Sequence, residues 1–161
     1  MASENSGPAN VTVKPMKSEH LAGVMEIERE SFVSPGSGKL WQRELNNPLS
    51  RNFIASIHLD TREKVIGYVN FWVIAGEIQL NSIAVKNTFR VSGIGAQLMQ
   101  TLMSVAAAEG ITTATLEVRA SNTSAIKLYE KFNFVVKGTR KGYYDEVGED
   151  ALIMWADIGK N

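Results

Sequence analysis

The stretch "FRVSGIGAQLM", Phe89 to Met99, places Gly93 and Gly95 one residue apart. They stand where a strand-like run gives way to a helix-like run. The first turn of a helix carries N–H groups with no intrahelical partner and about half a unit of positive charge. Glycines let a bulky anion approach that backbone closely. The turn is therefore a physical candidate for a phosphate cradle. The same spacing also serves a plain tight turn between strand and helix, and spacing alone does not separate the two. It is not the dinucleotide fingerprint, because Leu98 stands where the last glycine would be. It is not a P-loop, because no Gly-Lys-Ser/Thr follows.

Other chemistry is narrowed by composition. The 161 residues contain no cysteine. That removes disulfides, thiolate metal sites and a cysteine nucleophile. His20 and His58 have no metal-like companion along the chain, so we expect surface or structural roles and no metal site. Lys+Arg and Asp+Glu balance at 17 each, which gives no footprint for nucleic acid. No apolar run reaches the ~20 residues of a membrane span, and "MASENSGPAN" lacks the apolar core of a signal peptide. These features point to a cytoplasmic protein with no membrane partner and with a composition compatible with a monomer.

The elements that must position the glycine turn follow from periodicity. One domain over residues 11–158 is expected, after a disordered lead of residues 1–10. At this length roughly 70% of the unfolded surface can be buried. "VTVKPM" alternates as a first strand. Ser18 is a candidate cap for a helix running to about Phe32. "VSPGSGK" is a loop and "LWQREL" a short helix. "NFIASIHL" is a strand, and "VIGYVNFWVIA", apolar on both faces, a central one.

In "EIQLNSIAVK", Ile78 and Leu80 share one parity while Ile83 and Val85 share the other. A slip of one residue at Asn81–Ser82 is what a β-bulge produces, although burial of both faces would blur the parity as well. A helix follows over Gly95–Gly110. The strand Ile111–Val118 comes next, with Thr113, Thr115 and Glu117 on one face and Ala114, Leu116 and Val118 on the other. "NTSAIKLYEKFN" reads as a helix, on which Asn122, Ala125 and Tyr129 share an arc. A small residue between two polar ones leaves room for a thin ligand there, while Leu128 and Phe132 on the adjoining arc suit a core face. A closing antiparallel hairpin completes a mixed α/β domain.

"NSIAVKNTFRVSGIGAQLM", taken with "LEVRASN…A…LYEKFNF" and "YY…EDALIM", resembles the GNAT family of acetyl-CoA-dependent N-acetyltransferases. Arg90, Gly93 and Gly95 match the family's Gln/Arg-x-x-Gly-x-Gly/Ala motif. The resemblance runs over Leu80–Met154 and, more loosely, over Val11–Ile57. Within the family the second stretch is similar to the RimI-type branch, which acetylates the N-terminal alanine of ribosomal small-subunit protein eighteen.

What the resemblance implies is the GNAT fold: a mixed, mostly antiparallel sheet, splayed at the acetyl-CoA site and flanked by helices. Ile83, Ala84 and Val85 would pair with the pantetheine arm. Arg90, Val91, Ser92, Gly93, Ile94, Gly95 and Ala96 would hold the pyrophosphate. Asn122 maps onto a residue that binds the cofactor, Glu117 onto the general base and Tyr129 onto the general acid. Tyr143 and Tyr144 fall where the acceptor peptide lies. Each also has a plain structural use: Glu117 as a solvated strand-end carboxylate, Asn122 as a helix cap, Tyr129 as a core aromatic, and one tyrosine of the pair on each strand face.

The chain departs from the family pattern in three places. Neutral Val91 and Ser92 replace basic residues in the phosphate loop. Pro35 and Trp41 are displaced in "SFVSPGSGKLW". Asp145 follows the double tyrosine in place of proline. The last two lie toward the acceptor side.

With no cysteine for an acyl-enzyme, the implied reaction is direct attack of an amine on the thioester. An α-amine has a pKa of ~7.7–8.0 and lysine ~10.4, so near pH 7.5 roughly a third of α-amines are neutral against about one lysine in a thousand. This favours a peptide or protein N-terminus as acceptor. Another amine, such as a lysine, a polyamine or a small molecule, and a non-catalytic acyl-CoA-binding module are the alternatives.

Overall fold

The structure is a computed structural model that describes residues 10–32, 35–90, 92–144 and 148–158. Seven strands form one sheet in the order β1-β2-β3-β4-β5-β7-β6. They are β1 (Thr12–Pro15), β2 (Ser50–Leu59), β3 (Arg62–Ile74), β4 (Glu77–Val85), β5 (Thr113–Arg119), β6 (Val135–Tyr144) and β7 (Glu149–Asp157). The helices among the described residues are α1 (Leu21–Ser31), α2 (Gly38–Asn46), α3 (Ile94–Glu109) and α4 (Thr123–Lys131). The pairs β1–β2, β5–β7 and β6–β7 are antiparallel, and β4–β5 is parallel. The expected mixed, mostly antiparallel sheet with flanking helices is present.

The chain forms two compact units, and β3, β4 and α3 each run through both. The first comprises residues up to Phe71 together with Ser82–Leu102. Its core joins Met16, Leu21, Val24, Ile27, Trp41, Ile54 and Tyr68. The apolar period of α1 (Leu21, Val24, Ile27) places three of these on one helix face. Trp41 of α2 meets Tyr68 of β3 edge to face at 5.3 Å. A carboxylate lies inside this core. Glu28 accepts hydrogen bonds from the Tyr68 hydroxyl, from the Trp41 indole and from Gly36 N–H at 2.7 Å. Three donors offset the cost of burying its charge.

Ser18 is not a cap. It lies inside a short 3-10 turn, Ser18–His20, capped by Lys17, and its hydroxyl accepts from Gln42. α2 begins two residues before the expected Leu40, because Ser37 caps it by accepting from Leu40 N–H.

Glu63 of β3 ties the edge of this unit together. Lys14 of β1 approaches it at 2.5 Å, and Ser56 of β2 donates to it at 2.7 Å. The Lys14 hydrogen bond, helped by Ser56 and by the charges of Lys14 and His20 against the effect of burial, holds the Glu63 carboxyl down to about 2. A carboxyl depressed in the folded state contributes stability above its unfolded pKa and loses it as pH falls toward the folded value. In urea melts at a series of pH values, wild type should therefore exceed Glu63→Gln by a constant margin at neutral pH. That margin should close between about pH 4.5 and about 2. A margin that does not vary with pH would show that Glu63 acts through packing.

The second unit comprises Trp72–Asn81 and the chain from Met103 onward. The turn between β3 and β4 uses Ala75 and Gly76, both at positive φ (50° and 79°), the geometry of a two-residue hairpin turn. β5 alternates as expected: Ala114, Leu116 and Val118 are buried and Glu117 is exposed. Tyr129 and Phe134 pack with 6.0 Å between ring centres. β7 lies between β5 and β6, so the last strand of the chain pairs with both.

Candidate functional site

In the first unit, the glycine turn is built to expose backbone. Gly93 has φ +86°, a conformation that side-chain-bearing residues rarely adopt. It precedes α3, and its carbonyl accepts from Gln97 N–H, so the N–H groups of Ile94, Gly95 and Ala96 are those of a helix's first turn. Ile94 is buried and anchors the turn, while Gly93 is exposed and Gly95 and Ala96 are half-buried. Ser92 donates its hydroxyl to Phe89 C=O, which turns that side chain inward onto the loop. Arg90 donates to Val85 C=O at 3.0 Å and to Ser31 at 3.0 Å. Its role in this structure is to fasten the loop to β4 and α1. Val91 lies outside the described residues.

Lys86 adds a second fastening. It is nearly buried and meets Glu26 at 2.8 Å and Glu30 at 2.9 Å, and Glu30 also accepts from Asn87 N–H. The hydrogen bonds to Glu26 and Glu30 raise the lysine's pKa; the lysine's bond lowers the Glu26 carboxyl, and Asn87 N–H first, with Lys86 second, lowers that of Glu30. Sequence reading missed this cluster, since Lys86 is separated from its partners by 60 and 56 residues.

The parity slip in β4 has a structural counterpart. Burial alternates over Ile78–Leu80 and is uniform at Ser82–Val85. The ladder with β5 runs from Ile78↔Ala114 to Leu80↔Leu116, while β4 itself continues to Val85. Along a strand, successive N–H and C=O pairs point to alternate sides. Lys86 N–H donates to Ile66 C=O of β3, and the Ala84 carbonyl lies against Gly67 of β3. Ile83 and Val85 consequently aim their backbone groups away from β3. Ala84 aims its own toward β3, so of the three residues expected to offer a backbone edge it faces the other way. Glycine at 67 eases this approach, because a Cβ there would come within 3.2 Å of the Ala84 oxygen and one of the two would have to give by a few tenths of an ångström.

In the second unit, Glu117 stands exposed on β5 and is held by Arg140 of β6, Nε to Oε2, at 2.9 Å. Arg119, two residues along the same face of β5, is 3.6 Å from Glu149 of β7. Its guanidinium lies 4.0 Å over the ring of Tyr144. Arg140 lies 5.4 Å over the ring of Tyr143. The two tyrosine rings touch edge to face, 5.2 Å apart. Neighbours in a regular strand point to opposite faces. The expectation of one tyrosine per face fails because β6 changes register between Arg140 and Tyr144, with Gly142 at φ +60°. Tyr143 is exposed and Tyr144 half-buried. Burial pushes the Tyr144 phenol up; Arg119 opposes this, and Glu117, Tyr143 and Glu149 add to it. Asp145 lies outside the described residues.

Asn122 caps α4, accepting from Ala125 N–H at 3.3 Å, so the capping role is real. Tyr129 is buried as a ring, 7% exposed. No buried side-chain oxygen or nitrogen among the described residues lacks a partner, and no hydrogen bond forms at the Tyr129 hydroxyl, so that oxygen reaches solvent. Burial first, and Tyr144 second, push the phenol well up, which keeps it protonated as a donor.

His58 is exposed, and His20 is buried in the first unit. His20 does have acidic neighbours, Glu19 beside it in the chain at 3.7 Å and Glu63, which the chain order hid, at 3.3 Å. Its Nδ1 accepts from Lys17 N–H at 2.9 Å, so in the neutral ring the proton sits on Nε2, facing Glu63. A metal ion at Nε2 would require the opposite tautomer, and Glu63 is already bound by Lys14 and Ser56.

Residues 21–134 match the model of the acetyltransferase (GNAT) family. A putative [ribosomal protein bS18]-alanine N-acetyltransferase of Bacillus subtilis is 34% identical over 149 residues, covering 92% of this chain and 96% of that one. The [ribosomal protein bS18]-alanine N-acetyltransferase of Escherichia coli K12 is 31% identical over 150 residues, covering 89% of this chain and 95% of that one. The crystal structure of the ribosomal-protein-S18-alanine N-acetyltransferase from Escherichia coli superposes with a TM-score of 0.82 at 29% identity, over 94% of this chain and 96% of that one. An Arabidopsis thaliana NAA60 crystallised with acetyl-CoA shares the fold, with a TM-score of 0.82 at 20% identity, over 92% of this chain and all of that one. The chain belongs to the acetyltransferase (GNAT) family.

Proposed function

We propose that this acetyltransferase moves the acetyl group of acetyl-CoA directly onto a protein N-terminal α-amine, and that the N-terminal alanine of a ribosomal small-subunit protein is its acceptor. The observation that carries the reading is Glu117: an exposed strand carboxylate in a cluster with Arg140, Tyr143 and Tyr144. In the first unit, the first turn of α3 and Ser92–Ala96 receive the pyrophosphate, and the outward backbone groups of Ile83 and Val85 pair with the pantetheine arm. Val91, next to Ser92 in the sequence, is assigned to the same role. Asn122 offers its amide to the cofactor beyond its cap.

Glu117 takes the proton of the α-ammonium, directly or through water. The neutral amine attacks the thioester carbonyl, whose oxygen is polarised by backbone N–H near Val85. The tetrahedral intermediate gives up its second N–H proton to water, the C–S bond breaks as the amide forms, and Tyr129 protonates the leaving thiolate and regains its proton from solvent. The products are the acetylated N-terminus and coenzyme A. A ribosomal-protein acceptor places the enzyme in the cytoplasm.

The identifying experiment incubates the protein with acetyl-CoA and a panel of N-terminal peptides, lysine peptides and polyamines. Turnover of Ala-initiated peptides supports the reading. Turnover of lysine peptides or polyamines alone overturns the acceptor, and no turnover at all overturns the enzyme.

Tyr129→Phe tests the acid. Near neutral pH a thiolate, with a free-thiol pKa of about 8.5 by analogy with cysteine, can leave without prior protonation. The loss in kcat should therefore fall near the lower end of the ~10²–10⁴ range of proton-transfer catalysis. Acetyl-CoA affinity and Tm should stay near wild type, because the ring packing on Phe134 is kept and the deleted hydroxyl has no partner. A fall in Tm with full activity would leave Tyr129 as a core residue.

A further inference from the structure

Glu117 does not stand alone before it meets an amine, because Arg140 already occupies it. The register explains how. Glu117 of β5 lies opposite Ile153 of β7, and Ile153 lies opposite Gly138 of β6. One step along the same face, Arg119, Ala151 and Arg140 form the next row. Arg140 therefore reaches diagonally over β7, two strands away, to close on Glu117 at 2.9 Å. Adjacent strands are ~4.8 Å apart, so only a long side chain spans that gap. Ala151, between Arg119 and Arg140 in the second row, is fully buried and sets only a methyl group beside the crossing.

We propose that Arg140 is the resting counter-ion of Glu117, and that the acceptor's ammonium binds by displacing it. This rests on the functional reading above and deepens it by naming what the acceptor must exchange. Three features make the exchange possible. The Arg140 side chain is 54% exposed and Glu117 31%, whereas Lys86, in its own acidic pair, is 10% exposed. An exposed ion pair shifts an equilibrium only by a factor of about 1.5 to 5, so one cation can replace another at little cost. The ring of Tyr143 lies 5.4 Å from the guanidinium and offers it a second station once Glu117 is taken. Arg119 is less suited to the same duty, since it is bound to Glu149 and stacked on Tyr144.

In sequence, the α-ammonium replaces the guanidinium at the Glu117 carboxylate, and one cation leaves as one arrives. The proton then passes to the carboxylate and the neutral amine attacks. Arg140 is a positioning residue here: it touches the base, and its departure is coupled to acceptor binding.

The test uses Arg140→Gln, checked for folding by its melting curve, and an Ala-initiated peptide binding to the coenzyme A complex by calorimetry. Removing the competing cation should tighten peptide binding about twofold to fivefold and lower the peptide KM by a similar factor, with no rise in kcat. The same peptide with its N-terminus already acetylated carries no ammonium, and it should bind both proteins equally. A variant that binds the free-amine peptide no more tightly than wild type overturns the proposal. So does an equal gain for both peptides, which would mean a reshaped groove. If wild type acetylates lysine peptides instead of N-terminal ones, the functional reading fails. The same pair of measurements on a lysine peptide and its acetylated form then decides the role of Arg140.

Discussion

Glu117→Gln is expected to lower the rate of acetyl transfer by ~10²–10⁴, the usual loss when a positioned base is removed. The amide keeps the size of the side chain and an acceptor oxygen for the Arg140 N–H, so the strand face should not rearrange. What it loses in stability is one exposed ion pair, worth about 0.2–1 kcal/mol. Acetyl-CoA affinity should hardly change, because the phosphate loop belongs to the other unit. The pH dependence separates two ways of acting. An α-amine with a pKa of ~7.7–8.0 is already largely neutral at pH 9. If Glu117 only removes the ammonium proton, the deficit should shrink toward that pH. If it also orients the amine for attack, part of the deficit should persist. An unchanged rate at every pH would end the assignment of Glu117 as base.

The sequence carried the alternation of β5, which put Glu117 on the exposed face, and a parity slip at Asn81–Ser82, just past the β4–β5 pair Leu80↔Leu116. Both were legible because strand parity is a local property with period two. The glycine turn was legible for a similar reason, since Gly93 at positive φ leaves a residue-type signature. Arg140, Arg119 and Glu149 were not legible as partners of the site. Their contacts depend on β7 lying between β5 and β6 and on a register shift within β6, and neither is encoded in any short window. The shared cluster of Tyr143 and Tyr144 was hidden by the same shift: local parity assigns them to opposite faces, and the rings touch. Buried Glu28 was invisible for a different reason. A carboxylate on an amphipathic helix reads as solvated until its donors, Gly36, Trp41 and Tyr68, are seen to converge from three other segments.

Gly93→Val should cost at least tenfold in acetyl-CoA affinity, about 1.4 kcal/mol. Two effects act in the same direction. Gly93 has φ +86°, and a β-branched residue there must either bear the strain or pull the loop into another conformation. A left-handed conformation costs a side-chain-bearing residue roughly 1–2 kcal/mol, so the relaxed loop becomes competitive. Once relaxed, the N–H groups of Ile94, Gly95 and Ala96 no longer converge on one point. In this chain that loss matters more than it would beside a basic loop, because Val91 and Ser92 are neutral, and Arg90 is engaged with Val85 and Ser31. The backbone must then supply most of the attraction for the pyrophosphate. Gly93→Ala separates strain from bulk: it carries the φ penalty with only a methyl group, so its affinity should fall between wild type and the valine variant. Calorimetry with acetyl-CoA reads the effect, and a thermal melt confirms folding. Full affinity in a folded valine variant would mean that the turn binds no phosphate and serves only to join β4 to α3.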